Sequence, residues 1–244
     1  MNNIKPSTNN EKKLFKSIQK SIGAAQDGII GCQSMSDIAI ALDADCFPVT
    51  LELFNCPVII GNDLIAWSPK APIKGFKNSM LGSFTYPRAT TPCSILINNG
   101  KVICGDSCHS HLNKPESVIY KTNDGKIGIK RVVYASELPK GLDWAIGGMG
   151  LINMYNPSAE GFTGTYADVL RKTNHNVLGI KNGKVFGVYY KNMTGQEINA
   201  HCRDKMKFDI AILLDGGGLA AINGDETFAK INTGAKQGYA IQFI

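Results

Sequence analysis

Four dipeptides, Asn99-Gly100, Asp124-Gly125, Asn182-Gly183 and Asn223-Gly224, stand between short runs rich in β-branched and aromatic residues. Asn-Gly and Asp-Gly adopt the positive φ angles that the tightest hairpin turns demand, so they commit the flanking runs to antiparallel pairing. They pair 94–98 with 101–104, 117–120 with 127–133 and 177–180 with 184–190, and lead 219–222 into 227–231. One helix interrupts this pattern. Thr194-Gly-Gln-Glu197 is a capping box, in which the threonine hydroxyl takes the amide of Glu197 and the glutamate returns the bond, and it predicts a helix over 195–206. The nearly continuous apolar run 208–214 suits a central buried strand, ending at Asp215-Gly216-Gly217-Gly218. The expected fold class is α+β, a mostly antiparallel or mixed sheet with a few flanking helices over 47–244. A small helical segment, 1–46, precedes it. There Leu14, Phe15, Ile18 and Ile22 keep helical spacing between an Asn10 cap and Gly23, and a second short helix over 34–42 follows the Asp27-Gly28-Ile29-Ile30-Gly31 turn.

A chain of 244 residues, 43% hydrophobic, is long enough to bury the core of one large domain, or of one domain and a small appendage. No apolar run approaches the roughly 20 residues of a membrane-spanning helix, and residues 1–13 are too polar for a secretory signal. The expectation is a protein with no membrane partner, cytoplasmic in the producing cell. Seven scattered cysteines, an odd number, fit free thiols in a reducing compartment. The net charge of +6 is carried almost wholly by lysine, with arginine only at 88, 131, 171 and 203. No block of five like charges occurs, so the usual footprint of a nucleic-acid partner is missing, while a mildly basic surface favours an anionic ligand.

Two segments concentrate chemistry. A strand ending in Asp215 sets a carboxylate at the rim of a sheet, and Gly216, Gly217 and Gly218 let backbone amides turn toward a bound anion. A plain strand-to-turn transition is the bland alternative. Cys104-Gly-Asp-Ser-Cys108-His109-Ser-His111 gathers soft ligands, but its spacing is not that of a standard zinc module and adjacent Cys108 and His109 cannot easily face one ion. It reads as a metal site, as a polar loop after a hairpin, or as a loop that carries His109, His111 or Asp106 to a functional site.

Taken together, three segments resemble the phosphodiester glycosidase family. They are Val177-Leu-Gly-Ile-Lys-Asn-Gly-Lys-Val185 followed by a capped helix and Ala211-Ile-Leu-Leu-Asp-Gly-Gly-Gly218; Trp144-Ala-Ile-Gly-Gly-Met-Gly-Leu-Ile152; and Leu81-Gly-Ser-Phe84 with Leu96-Ile-Asn-Asn-Gly-Lys-Val102. The resemblance spans roughly residues 75–244, and three positions depart from it. His175-Asn176 stands where the family carries Arg-Thr, Leu219-Ala220 where serines follow the glycines, and Leu81 where the family has asparagine. The resemblance implies hydrolysis of a sugar-1-phosphodiester at the anomeric carbon. Asp215 would activate water or attack that carbon, and His175, when protonated, would partly replace the arginine as a phosphate donor. Gly148, Gly216, Gly217, Gly218, Asn176 and His109 would line the substrate, with no cofactor and no metal. A non-catalytic binder of a phosphosugar or nucleotide-like ligand, or a structural virion protein, are the alternatives.

Asp27-Gly-Ile-Ile-Gly-Cys-Gln-Ser34 is similar to the turn of peptidoglycan-binding modules, with Cys32 where proline is common. A plain helix-turn-helix appendage is the alternative. The two resemblances together imply a bacterial cell-wall polymer, or a small sugar phosphate, as partner, and a phage-encoded protein released at lysis or carried in a virion.

Overall fold

The computed structural model describes residues 48–67, 73–82, 84–85, 91–224, 230–234 and 239–244, with isolated positions before them. Apart from those isolated positions, the helices expected at 11–22 and 34–42, and the turn at 27–34, fall outside the described residues.

The described chain runs β1 (Val49–Leu53), β2 (Cys56–Gly61), β3 (Leu64–Trp67), β4 (Ser79–Leu81), β5 (Leu96–Asn98), β6 (Lys101–Cys104), β7 (Glu116–Thr122), β8 (Ile127–Val132), β9 (Leu142–Gly150), β10 (Thr173–Lys181), β11 (Lys184–Met193), helix α1 (Gly195–His201), β12 (Ile210–Gly216), β13 (Ile222–Asn223), β14 (Lys230–Ile231) and β15 (Ala240–Phe243). Every pairing between these strands is antiparallel. The larger sheet has the order β1-β2-β11-β10-β12-β9-β5-β6, with β7 on the other edge of β9 and β8 beyond it. The smaller has the order β14-β13-β4-β15-β3.

Three of the four expected hairpins form, those at 99–100 and 182–183 on two-residue turns and that at 124–125 on a longer one closed by Lys121 and Ile127. Asn99 and Gly100, and Asn182 and Gly183, all take positive φ, whereas at 124–125 only Gly125 does. The fourth differs: Ile222 pairs with Ile231 and Asn223 with Lys230, so Asn223-Gly224 opens a longer connection rather than a two-residue turn. Thr194 caps α1 as expected, its hydroxyl accepting from the Glu197 amide at 3.2 Å while the Glu197 carboxylate accepts from the Thr194 amide at 2.7 Å. A π-helical turn, Cys202–Met206, completes the predicted span.

Alternation along the central strands decides what each face covers. Leu178 and Ile212 join Tyr239, Ile241 and Phe243 in the core between the two sheets. Val177, Leu213 and Val188 point the other way, to a second core closed by Ile198, Cys202 and Phe208. The apolar run 208–214 thus becomes β12, held between β10 and β9 and buried from Ala211 to Leu214. Its far end is where the two cores stop and a cavity begins.

Candidate active site

A cavity of about 550 Å³ opens at the ends of β10 and β12. Asp215, Gly216, Gly217, Gly218 and His175 line it together with His109, His111, Phe162, Tyr166, Asp168 and Arg171. The register explains why His175 and the glycine run share a wall, since His175 pairs with Gly216 across the β10–β12 ladder. A bulge between His175 and Val177 then re-aims the strand. Gly216 is dictated by this contact: a Cβ there would sit 2.6 Å from His175 Nδ1 and 2.7 Å from the Asn174 carbonyl oxygen. Gly217 holds a positive φ of 64°, and Gly218 faces open space. Asp215 accepts the amide of Gly216 on Oδ1 at 2.7 Å, which fixes the carboxylate against the glycine turn.

His175 itself is fully buried. Its Nε2 donates to the Arg171 carbonyl at 3.3 Å, and its Nδ1, closed in against Gly216, has no hydrogen-bond partner among the described residues. Burial pushes its pKa below the ordinary value, with the Arg171 charge adding to the push and backbone hydrogen bonding opposing it. Both features weigh against the expectation that a protonated His175 supplies the cation at a phosphate. The Arg171 guanidinium lines the same cavity. Its Nη1 donates to Asp168 at 3.0 Å, both side chains stay solvent-accessible, and its Nη2 lies 3.6 Å from where a Cβ on Gly217 would be. Sequence reading passed over Arg171 because the family pattern places its arginine four residues later. In the fold, the chain before β10 turns back over the glycine loop.

The opposite character belongs to the aromatic side. The His109 ring packs edge-on against Phe162 at 4.8 Å and tilts against Tyr166 at 4.6 Å between centroids, and Phe84 lies 5.2 Å from Phe162. His109 is buried, and its Nδ1 sits 2.8 Å from the Glu160 carbonyl oxygen. Burial is the largest influence on its pKa and lowers it. His111 approaches the Tyr166 hydroxyl at 3.5 Å. Of the three readings of the 104–111 segment, the loop that delivers histidines to a cavity is the one this geometry matches. No group of three or more His, Cys, Asp or Glu side chains converges among the described residues. Cys104 turns to the Asp106 carbonyl, and Cys108 meets Cys93 with sulfurs 3.5 Å apart as free thiols. That contact and burial hold the Cys108 thiol well above its usual pKa.

Two expected substrate residues lie elsewhere. Asn176 is fully buried and its amide nitrogen donates to the carbonyls of Leu81 and Ala221, at 2.9 and 3.1 Å, tying the larger sheet to β4 and to the residue before β13. Gly148 sits inside β9, where a Cβ would meet the Leu213 carbonyl oxygen at 2.6 Å. Both serve strand packing rather than the cavity.

Beneath the cavity two carboxylates are buried. Glu116 accepts from Ser94 Oγ, the Ile95 amide and the Cys108 amide, at 2.6, 2.5 and 3.3 Å, and burial pushes its pKa up to about 8 despite these donors. Glu160 accepts from Ser117 Oγ at 2.6 Å, Arg131 Nε at 2.8 Å and the Gly150 amide at 2.9 Å. Its pKa is also raised by burial, against the opposing pull of those three donors. Neither glutamate was legible as a site residue, because each looks like an ordinary charge between strands until the fold encloses it.

No protein-family model matches the sequence, and no curated protein does. Among solved structures, the chain is similar to the catalytic domain of zebrafish N-acetylglucosamine-1-phosphodiester alpha-N-acetylglucosaminidase, auto-inhibited there by its pro-peptide, with a TM-score of 0.59 and 12% identity over 81% of each chain. It is similar also to a hypothetical protein from Synechocystis, with a TM-score of 0.54 and 12% identity over 80% of this chain. The match spans 60% of the Synechocystis chain. At this identity the likeness establishes the fold and leaves the chemistry to the cavity.

Proposed function

We propose that the cavity hydrolyses a sugar-1-phosphodiester at the anomeric carbon. One observation carries this reading: Asp215 and the glycine turn at the end of β12 line the same cavity as the Arg171 guanidinium and a cluster of aromatic rings. The two kinds of wall suit the two halves of such a substrate. Arg171 and the 216–218 backbone take the phosphate, since guanidinium and amide donors both match anionic oxygens. Phe162, Tyr166 and Phe84 offer apolar faces to the sugar ring. Asp215 then stands by the anomeric carbon, where positive charge grows as the bond to the phosphate breaks. The departing phosphomonoester is a weak base and needs little protonation. The fold shared with the zebrafish glycosidase supports this assignment. A wall polymer as the natural substrate is a further part of the proposal, motivated by the 27–34 motif.

A second reading is a phosphosugar binder without turnover. Leu219, which lines the cavity where the resembled family carries serine, favours it. Incubation of the purified protein with a fluorogenic N-acetylglucosamine-1-phosphodiester separates the two. Release of N-acetylglucosamine that is lost in Asp215→Asn supports hydrolysis. Saturable binding with no release, from folded protein, overturns hydrolysis in favour of the binder.

A further inference from the structure

We propose that His109 is the proton acceptor of this cavity, its Nε2 taking the proton of the water that attacks the anomeric carbon. The inference rests on the glycosidase reading and adds to it the group that activates water. A carbonyl oxygen only accepts, so the 2.8 Å contact between Nδ1 and the Glu160 carbonyl oxygen places the ring proton on Nδ1. A neutral imidazole in that tautomer presents Nε2 as a bare acceptor. Nε2 has no hydrogen-bond partner among the described residues, and the ring lines the cavity that also holds Asp215.

The tautomer is fixed from below. The Glu160 side chain is fully buried and bound by Ser117, Arg131 and Gly150, which pins the backbone whose carbonyl receives Nδ1. The next residue, Gly161, has a φ of 86°, and a Cβ there would lie 2.8 Å from His109 Nδ1. Only glycine lets this turn close on the ring. Phe162 and Tyr166 clamp the two remaining sides.

The step balances without a further reactant. As water attacks, one O–H bond breaks and a proton joins Nε2, the water oxygen bonds to the anomeric carbon, and the carbon–oxygen bond to phosphate breaks. The electron pair of that bond leaves with the phosphomonoester, and the imidazolium returns its proton to solvent. The charged and titratable groups around the ring are His111 and Cys108 on its own loop, Tyr166, Asp168 and Arg171 on the segment packed against it, Glu160 and Glu116 below and Asp215 across the cavity. Protonation of Nε2 must therefore silence the enzyme on the acid side, below the ordinary histidine value, because burial lowers the His109 pKa.

His109→Asn tests this, because the asparagine amide nitrogen can replace Nδ1 as donor to Glu160 while deleting Nε2. With the fluorogenic N-acetylglucosamine-1-phosphodiester, we expect kcat to fall at least about 100-fold, the range of a lost general base, with KM within about threefold. The acid limb of the kcat/KM profile should disappear, and added imidazole should restore turnover to His109→Gly. A kcat within about tenfold of wild type, or an unchanged acid limb, would overturn the inference while leaving the glycosidase reading in place. Should the asparagine variant fail to fold, His109→Gln is read against the same thresholds. Absence of turnover in folded wild type overturns both.

Discussion

The carboxylates of Glu116 and Glu160, and the strand ends at His175 and Asp215, are polar regions set into the same apolar sheet, and they are completed in opposite ways. Under β7 and β9 each glutamate is met by three donors, hydroxyl, amide or guanidinium. At the ends of β10 and β12 a buried histidine nitrogen has no partner among the described residues, and Gly218 faces open space. A satisfied network rigidifies, whereas an incomplete one leaves groups for a ligand to engage. The first region is scaffold, and through the Glu160 carbonyl and the Cys108 amide it holds the loop that carries His109 to the cavity.

This contrast breaks most readily at Arg131. Arg131→Met strands the buried Glu160 carboxylate with only neutral donors and should lower stability by about 3 kcal/mol in urea unfolding. Gly147→Ala follows, since a Cβ there would sit 2.2 Å from Glu116 Oε1 and 2.7 Å from Ser94 Oγ; overpacking of this kind costs about 1–3 kcal/mol. Both changes act on the scaffold and should lower the thermal midpoint.

The scaffold also sets a pH dependence. Glu116 has a folded pKa of about 8 against an unfolded value near 4.5, so the native state holds a proton that the unfolded chain has given up between those values. Its contribution therefore makes stability fall as pH rises from about 4.5 to about 8, and level off above. Glu116→Gln removes that slope. Its stability relative to wild type should be poorest near pH 5 and should improve toward pH 8, as read from unfolding curves across the range.

Changes on the cavity side should separate binding from stability. Arg171→Ala removes a guanidinium from an exposed pair with Asp168, so unfolding should shift by less than about 1 kcal/mol, while KM for a phosphodiester should rise roughly tenfold. Gly218→Ala has the smallest expected structural effect, because a Cβ there meets nothing within 4 Å. Its thermal midpoint should match wild type, and any loss of substrate affinity would mark the added methyl as an intruder on the ligand.

Much of this plan is legible in residues whose signals are local. Asn99-Gly100 and Asn182-Gly183 announce hairpins because positive φ at both positions is a property of the dipeptide. Thr194 and Glu197 announce a helix start because the cap is complete within four residues. Asn223-Gly224 carries the same local signal but opens a longer connection, since Ile222 pairs with Ile231. The cavity is less legible. Arg171 and Tyr166 enter it from the segment preceding β10, and Glu160 acts through a backbone carbonyl, which no side-chain pattern encodes. Gly148 and Asn176 mislead for a related reason. Their need for a small side chain and for an amide comes from β12, β4 and the residue before β13, which distant parts of the chain supply.

The chemistry of the cavity is defined by which bond is cut. Hydrolysis of an N-acetylglucosamine-1-phosphodiester in ¹⁸O-enriched water, with products read by mass spectrometry and ³¹P NMR, locates that bond directly. Attack at the anomeric carbon beside Asp215 predicts label in the sugar hydroxyl and an unlabelled phosphomonoester. Label in the phosphate, or no label because folded protein releases nothing, would contradict it.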